Sequence, residues 1–271
     1  MNRLFYLVIS SIISSAAFAQ DSTTHFSIAA TYNSGLNYYG RVDSLHSKGF
    51  YPSVGLTLKN GLYATSTFVF IQNSLTRQYA ATLVEGGYNF NNKKNTWAGS
   101  LSVSKFFYQA DVSLVQSAIK EVASFSLTHL NKVVNITAAA NVKFSGYTDI
   151  GVQAGLDHII KFPEVLGGVI VLDPSANIFA GTQNFTKTEY QKKNFLLIPV
   201  GEETITTNSK RFDILSYEFS MPVIYGYKKL NFILTPSYVL PQNLLTIPGQ
   251  PGASERGAPL FYFTATTKLT L

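Results

Sequence analysis

The sequence predicts an all-β protein, a single transmembrane antiparallel up-and-down β-barrel of about 12 strands. Three observations carry that prediction: hydrophobic and polar residues alternate in long runs, charged residues are scarce, and short connections alternate with longer ones. Alternation sends successive side chains to opposite faces of a sheet. Only 13% of the 271 residues are charged while 46% are hydrophobic; ordinary soluble domains run near ~25% charged. The same composition excludes intrinsic disorder. The absence of cysteine excludes disulfide scaffolds, thiolate metal sites, thiol nucleophiles and an N-terminal lipid anchor on Cys.

The elements follow in chain order. Residues 1–19 have the form of a secretory signal peptide: Arg3, an apolar stretch from Leu4 to Ile13, and the cleavage site Ala17-Phe18-Ala19. The apolar stretch is too short for a spanning helix, which needs about 20 residues. Cleavage after Ala19 leaves residues 20–271 as the barrel. Twelve alternating runs are expected near 24–33, 49–59, 62–72, 77–90, 96–108, 118–130, 133–145, 148–162, 168–182, 212–225, 230–240 and 259–271. In 133–144, for example, Val134, Ile136, Ala138, Ala140, Val142 and Phe144 share one face, and Asn135, Thr137, Asn141 and Lys143 the other. Such lengths suit tilted membrane strands of about 9–11 residues.

Short connections fall after the even strands: Asn60-Gly61, 91–95, Asn131-Lys132, 163–167 and 226–229. Connections after odd strands are generally longer, the largest being 183–211, 241–258 and 34–48. That asymmetry is the one expected of periplasmic turns and extracellular loops, and an even strand count lets the sheet close. Phe90, Trp97, Phe107, Phe144, Phe162, Tyr225 and Phe263 sit near strand ends on the apolar register, where interfacial girdles lie. A secreted sandwich needs neither these girdles nor such long strands, and only hairpin spacing repeats, against a propeller or solenoid.

The last run places Phe261, Phe263, Ala265, Thr267, Leu269 and Leu271 on one face, like a closing strand recognised by the outer-membrane assembly machinery, with Leu271 in place of the usual terminal Phe. On this strand the chain resembles outer-membrane β-barrel proteins of Gram-negative bacteria. The likeness narrows to one group of them at Tyr38-Tyr39-Gly40-Arg41-Val42-Asp43-Ser44 followed by Gly49-Phe50-Tyr51-Pro52, and at Tyr217-Glu218-Phe219-Ser220-Met221-Pro222 followed by Pro236-Ser237-Tyr238-Val239-Leu240-Pro241. The resemblance implies an outer-membrane location, with outer-membrane lipid, lipopolysaccharide and the assembly machinery as partners. It implies no particular activity.

The polar register is expected to line the lumen. Its charges are Lys59, Lys120, Lys143, Lys161 and Lys268, with Glu85, Asp149, Asp157, Asp173 and Glu218. A Lys facing lipid at the midplane costs about 2–4 kcal/mol, which argues for the inward assignment. Ser100, Ser102 and Ser104, then Ser124, Ser126 and Thr128, make a short-chained wall, joined by Gln153 and by Gly151 and Gly155. Large residues opposite, such as Tyr51, Tyr63 or Tyr79, are the alternative occupants of that space. The apolar run Phe195-Leu196-Leu197-Ile198-Pro199-Val200 in a long outer loop is a hazard in water; it is expected to fold over the mouth as a lid, or to extend strands 9 and 10.

No catalytic, metal or cofactor site is expected. The four histidines, His25, His46, His129 and His158, show no metal-ligand spacing. His46 with Asp43, Ser44 and Ser47 has residue types for nucleophilic catalysis but no ordered arrangement, and the chain lacks the H-x-S-N arrangement of outer-membrane phospholipases. No nucleotide motif is present, and the net charge of +6 forms no basic block, against nucleic acid. The expected function is a passive channel or transporter for small polar solutes. The alternatives are a structural or surface-interaction barrel with a filled interior, and an outer-membrane lipid hydrolase.

Overall fold

The structure, a computed structural model, describes residues 23–42, 45–109, 119–183, 211–244 and 255–271. The strands are β1 (His25–Asn33), β2 (Asn37–Tyr38), β3 (Arg41–Val42), β4 (Lys48–Thr57), β5 (Leu62–Gln72), β6 (Arg77–Asn91), β7 (Trp97–Tyr108), β8 (Glu121–His129) and β9 (Asn135–Phe144). They continue with β10 (Thr148–Asp157), β11 (Ile160–Val165), β12 (Gly168–Leu172), β13 (Ser175–Gly181), β14 (Asp213–Ser220), β15 (Val223–Tyr227), β16 (Leu230–Pro241) and β17 (Leu260–Thr270). All pairings are antiparallel, and β17 closes onto β1 from Ser27↔Thr270 to Asn33↔Thr264. The ring holds 12 strands, because β10 with β11, β12 with β13, and β14 with β15 each form one interrupted wall strand. β2 and β3 lie outside the ring.

The interruptions align, and proline causes them. His158 N–H donates to Pro174 O (3.1 Å), Asp173 N–H to Pro222 O (3.0 Å), and Met221 N–H to Pro236 O (3.1 Å). Each proline lacks the N–H that would return a ladder bond. The register is kept across the line, with Ser220↔Ser237 above it and Val223↔Leu234 below it on β16.

Turn chemistry departs from one expectation. Asn60-Gly61 is not a two-residue turn with both residues at positive φ. Gly61 N–H donates to Leu58 O (2.9 Å), and only Gly61 has positive φ, +92°. The turn is therefore tightest at Gly61, where an added Cβ would stand 2.2 Å from Asn89 O. The left-handed pair Leu166 and Gly167 does make a two-residue turn. On the other side, 73–76 and 145–147 are as short as the turns, so the long connections are 34–47, 109–120, 182–212 and 242–259.

The apolar register faces outward. Leu101, Val103, Ile136, Leu156 and Leu234 are 48–59% exposed. Exposed apolar surface on this scale marks a lipid-facing belt. Aromatic rings also cover glycine steps on the wall: a Cβ on Gly87 would meet the Tyr63 ring at 2.6 Å, and one on Gly99 the Phe90 ring at 2.3 Å. Tyr63 therefore lies along the inner wall instead of reaching across the lumen.

Candidate functional site: the lumen and its outer crossing

The inward register changes character along the barrel axis. Toward the periplasm, Ser27, Ser53, Thr65, Ser124, Ser126, Thr137, Gln153 and Lys268 are partly exposed. An inward side chain keeps exposure only where the lumen beside it is open. Hydroxyls pair across strands there: Ser100 with Ser126 (2.8 Å), Thr128 with Thr137 (2.9 Å) and Ser175 with Ser220 (2.8 Å). Ser100 and Ser102, on the same register, are buried.

Toward the outside, inward residues are buried: Tyr51, Val69, Leu83, Phe106, Lys143, Asp149, Phe179, Leu215, Val239 and Tyr262 are at most 6% exposed. Tyr51, Val69, Leu83, Phe106, Phe179 and Leu215 form one buried cluster with Leu36, Tyr38 and Tyr39 of the first outer connection. Leu36, Tyr38, Tyr39 and Arg41 are each at most 4% exposed. Lys143 Nζ donates to Tyr38 Oη (2.8 Å) and lies 5.2 Å and 5.3 Å from the Tyr38 and Tyr39 ring centres. Tyr39 packs on Phe179 with ring centres 5.1 Å apart. Lys143 belongs to the seventh wall strand of 12, opposite the first. A tyrosine carried between the first and second wall strands reaches Lys143 only by crossing the lumen.

Arg41 fixes that crossing. Its Nε donates to Glu255 Oε2 (2.7 Å), Nη1 to Tyr39 O (3.2 Å) and Leu215 O (3.0 Å), and Nη2 to Gln242 O (2.9 Å) and Asn243 O (3.4 Å). All guanidinium nitrogens are engaged, which a planar five-donor group allows and an ammonium does not. Val42 N–H donates to Arg256 O (3.0 Å), pinning the connection 242–259 to the first. Gly40, at φ +76°, passes so close to Pro241 that a Cβ would meet the ring at 2.8 Å. Burial pushes the Tyr39 phenol above its ordinary range, with Arg41 opposing, so it stays neutral.

The residues expected in the lumen divide by position. Glu85 is tied into the wall, accepting from Tyr63 Oη (2.9 Å) and Ser104 Oγ (3.2 Å). Asp149 stands opposite Lys143 on the next strand and accepts from Thr182 Oγ1 (2.7 Å). Asp157 accepts from Asn135 Nδ2 (2.6 Å) and meets Asp173 beside the proline line. Glu218 is buried and accepts from Tyr262 Oη (3.1 Å), and Gln153 Nε2 donates to Asn177 Oδ1 (2.9 Å). Ser102, Ser104, Ser124, Ser126 and Lys268 are on the inward register.

Lys59, in the turn after β4, and Lys120, at the outer end of β8, are exposed beyond the regular wall, whereas Lys161, exposed on β11, keeps the inward register through Val171, Ile224, Ile233 and Thr266. Parity along a run does not show where the wall ends, and beyond that point an ammonium turns to water. The lid residues Phe195, Leu196, Leu197 and Ile198 lie outside the described residues, as do Asp43 and Ser44 beside His46. His129 stacks on Trp97 with ring centres 4.6 Å apart, an interfacial placement.

The crossing by Tyr38, Tyr39 and Arg41 was missed because its signal is local and weak. Two tyrosines and an arginine around a glycine are more than a solvated loop needs, yet nothing in the stretch names its distant partners Lys143 and Glu255.

Neither a family model nor a curated protein matches the sequence. Solved structures match in fold. A KdgM porin is 7% identical and superposes over 90% of this chain and 98% of its own, with a TM-score of 0.50. A NanC porin is 11% identical, covering 91% and 100%, TM-score 0.48. An outer membrane channel from Pseudomonas putida F1 is 9% identical, covering 92% and 96%, TM-score 0.49. The chain has the fold of Gram-negative outer-membrane β-barrel proteins. At these identities the likeness is one of fold.

Proposed function

We propose that the protein is an outer-membrane channel for small polar solutes, exported by the segment 1–19, cleaved after Ala19 and inserted by the outer-membrane assembly machinery. In the state described here residues 36–41 hold its outer mouth closed. The observation that carries this reading is the partly exposed, hydroxyl-lined periplasmic half. A barrel built only to be filled gains nothing from leaving Ser, Thr and Gly there, because unfilled space forfeits packing. Twelve strands enclose enough volume for either a packed interior or a modest pore, and the short side chains favour the pore. The fold shared with a porin supports the same reading.

Planar-bilayer recording tests it. The parent should conduct little, and a variant with residues 37–42 replaced by glycine and serine should show conductance steps at least about ten-fold larger, as expected when a crossing side-chain layer leaves a modest pore. Unchanged conductance in a variant that still gives the heat-modifiable gel shift of a folded barrel would favour the filled, structural alternative.

A further inference from the structure

The charges at the two ends of the barrel are arranged differently. At the outer end, cations stand beside carboxylates: Lys105 with Glu121 (2.8 Å), Arg211 with Asp213 (2.9 Å) and Arg41 with Glu255 (2.7 Å). At the periplasmic end, Lys59, Lys93 and Lys94, Lys132, and Lys228 and Lys229 occupy four of the five turns, and Lys161 is on the strand leading to the fifth. All seven are exposed, and among the described residues none is in an ion pair. Glu164 is the only acid in the sequence of these turns and of β11.

The lysines also share a depth. Exposed aromatic side chains end the lipid-facing register immediately beside them: Tyr88 and Trp97 flank Lys93 and Lys94, Phe162 follows Lys161, and Tyr227 precedes Lys228. Lys228 Nζ lies 5.2 Å from the Tyr227 ring centre. Interfacial aromatics sit at headgroup level, so ammonium groups next to them stand at the phosphates of the inner leaflet. The turn cations are distributed around the ring, after the second, fourth, sixth and tenth wall strands. A protein or polymer docking from one side would need a one-sided patch. An annulus of lipid meets every turn alike.

We propose that the periplasmic turns form a basic collar that recruits anionic phospholipid headgroups of the inner leaflet. The inference rests on the membrane orientation given above. Each ammonium offers three donors to phosphate oxygens, and freedom from internal carboxylates keeps those donors available.

The full-length mature chain, folded into phosphatidylcholine vesicles, would be titrated with spin-labelled phosphatidylglycerol and, separately, spin-labelled phosphatidylcholine. The expected outcome is a preference for the anionic lipid of about three-fold or more at low salt, falling toward one in high salt, as for juxtamembrane lysines. The combined variant Lys93→Gln, Lys94→Gln, Lys228→Gln and Lys229→Gln should lose most of it, and Lys48→Gln with Lys105→Gln at the outer end should keep it. Equal association of both lipids with the parent overturns the proposal. So does a four-lysine variant that keeps its preference, or one that loses only the binding of soluble polyglutamate, which would make the collar a site for an acidic polymer. If the parent inserts, shown by the heat-modifiable shift, yet prefers neither lipid, the collar fails and the channel reading stands. If it does not insert, the membrane reading itself fails.

Discussion

Lys143 and Lys268 both project inward from the barrel wall, and their surroundings differ completely. Lys143, near the outer end of β9, is 1% exposed, held by the Tyr38 phenol and two aromatic faces, with Asp149 opposite. Lys268, near the periplasmic end of β17, stays partly exposed beside Ala29 and Asn231. The strands carrying them are equally regular. What differs is whether a connection folds inward to meet them. The outer half behaves as a protein core, where displaced water must be matched by hydrogen bonds and contacts. The periplasmic half behaves as a wetted wall, where a lost contact is replaced by water.

The largest test of that difference is at Arg41. Arg41→Ala removes the cation from the buried Glu255 carboxylate, and breaking a buried pair in this way costs about 3–5 kcal/mol. The crossing should come loose while the barrel persists. Protease added from outside should cut between β1 and β4 in the variant and not in the parent. The double change Arg41→Met with Glu255→Leu should restore much of the protection, since well-packed apolar residues replace a buried pair at little cost. Protection unchanged in Arg41→Ala would mean that the crossing is held by Tyr38 and Tyr39 alone.

A volume test comes next. Leu215, near the outer end of β14, is 2% exposed and packed; overfilling such a site costs about 1–3 kcal/mol. Leu215→Trp should lower the urea midpoint of unfolding accordingly. Ser126, in the periplasmic half of β8, is partly exposed, and Ser126→Trp should shift stability by no more than about 0.5 kcal/mol, as at ordinary surface positions. Equal losses would show the periplasmic half to be as full as the outer one.

The wall was legible in the sequence because its determinants are local. Period-two alternation, as in Val134 to Phe144, fixes both strand and facing, and short turns fix the neighbours. The three interrupted strands kept their register, so the twelve-strand count survived Pro174, Pro222 and Pro236. The lumen was legible only where parity settles direction, as for Glu85, Asp157 or Gln153. At Lys59 and Lys120 the regular strand has run out, and parity no longer fixes a direction. The crossing was illegible for a different reason. Tyr38 meets Lys143 over 105 residues of separation and Arg41 meets Glu255 over 214, and no periodicity encodes a contact made by an irregular connection.

A comparison of two tyrosines that each hydrogen-bond a charged group separates the halves most sharply. Tyr38 Oη accepts from Lys143 Nζ at 2.8 Å, and Tyr63 Oη donates to Glu85 Oε1 at 2.9 Å. Phenylalanine keeps the ring in both places and removes only the oxygen. In the outer half the Lys143 ammonium is enclosed, so Tyr38→Phe should cost about 1.5–3 kcal/mol, as for hydrogen bonds to buried charges. In the periplasmic half Tyr63 is partly exposed, and Glu85 retains Ser104 at 3.2 Å. Water can take the vacated position there, so Tyr63→Phe should cost less than about 1 kcal/mol. The measurement is the difference between two denaturant midpoints in the same lipid, which cancels the shared cost of unfolding the wall. A Tyr63→Phe loss equal to that of Tyr38→Phe would place Glu85 in an environment as dry as that of Lys143. The open lumen would then have to begin nearer the periplasm than the fourth wall strand's carboxylate.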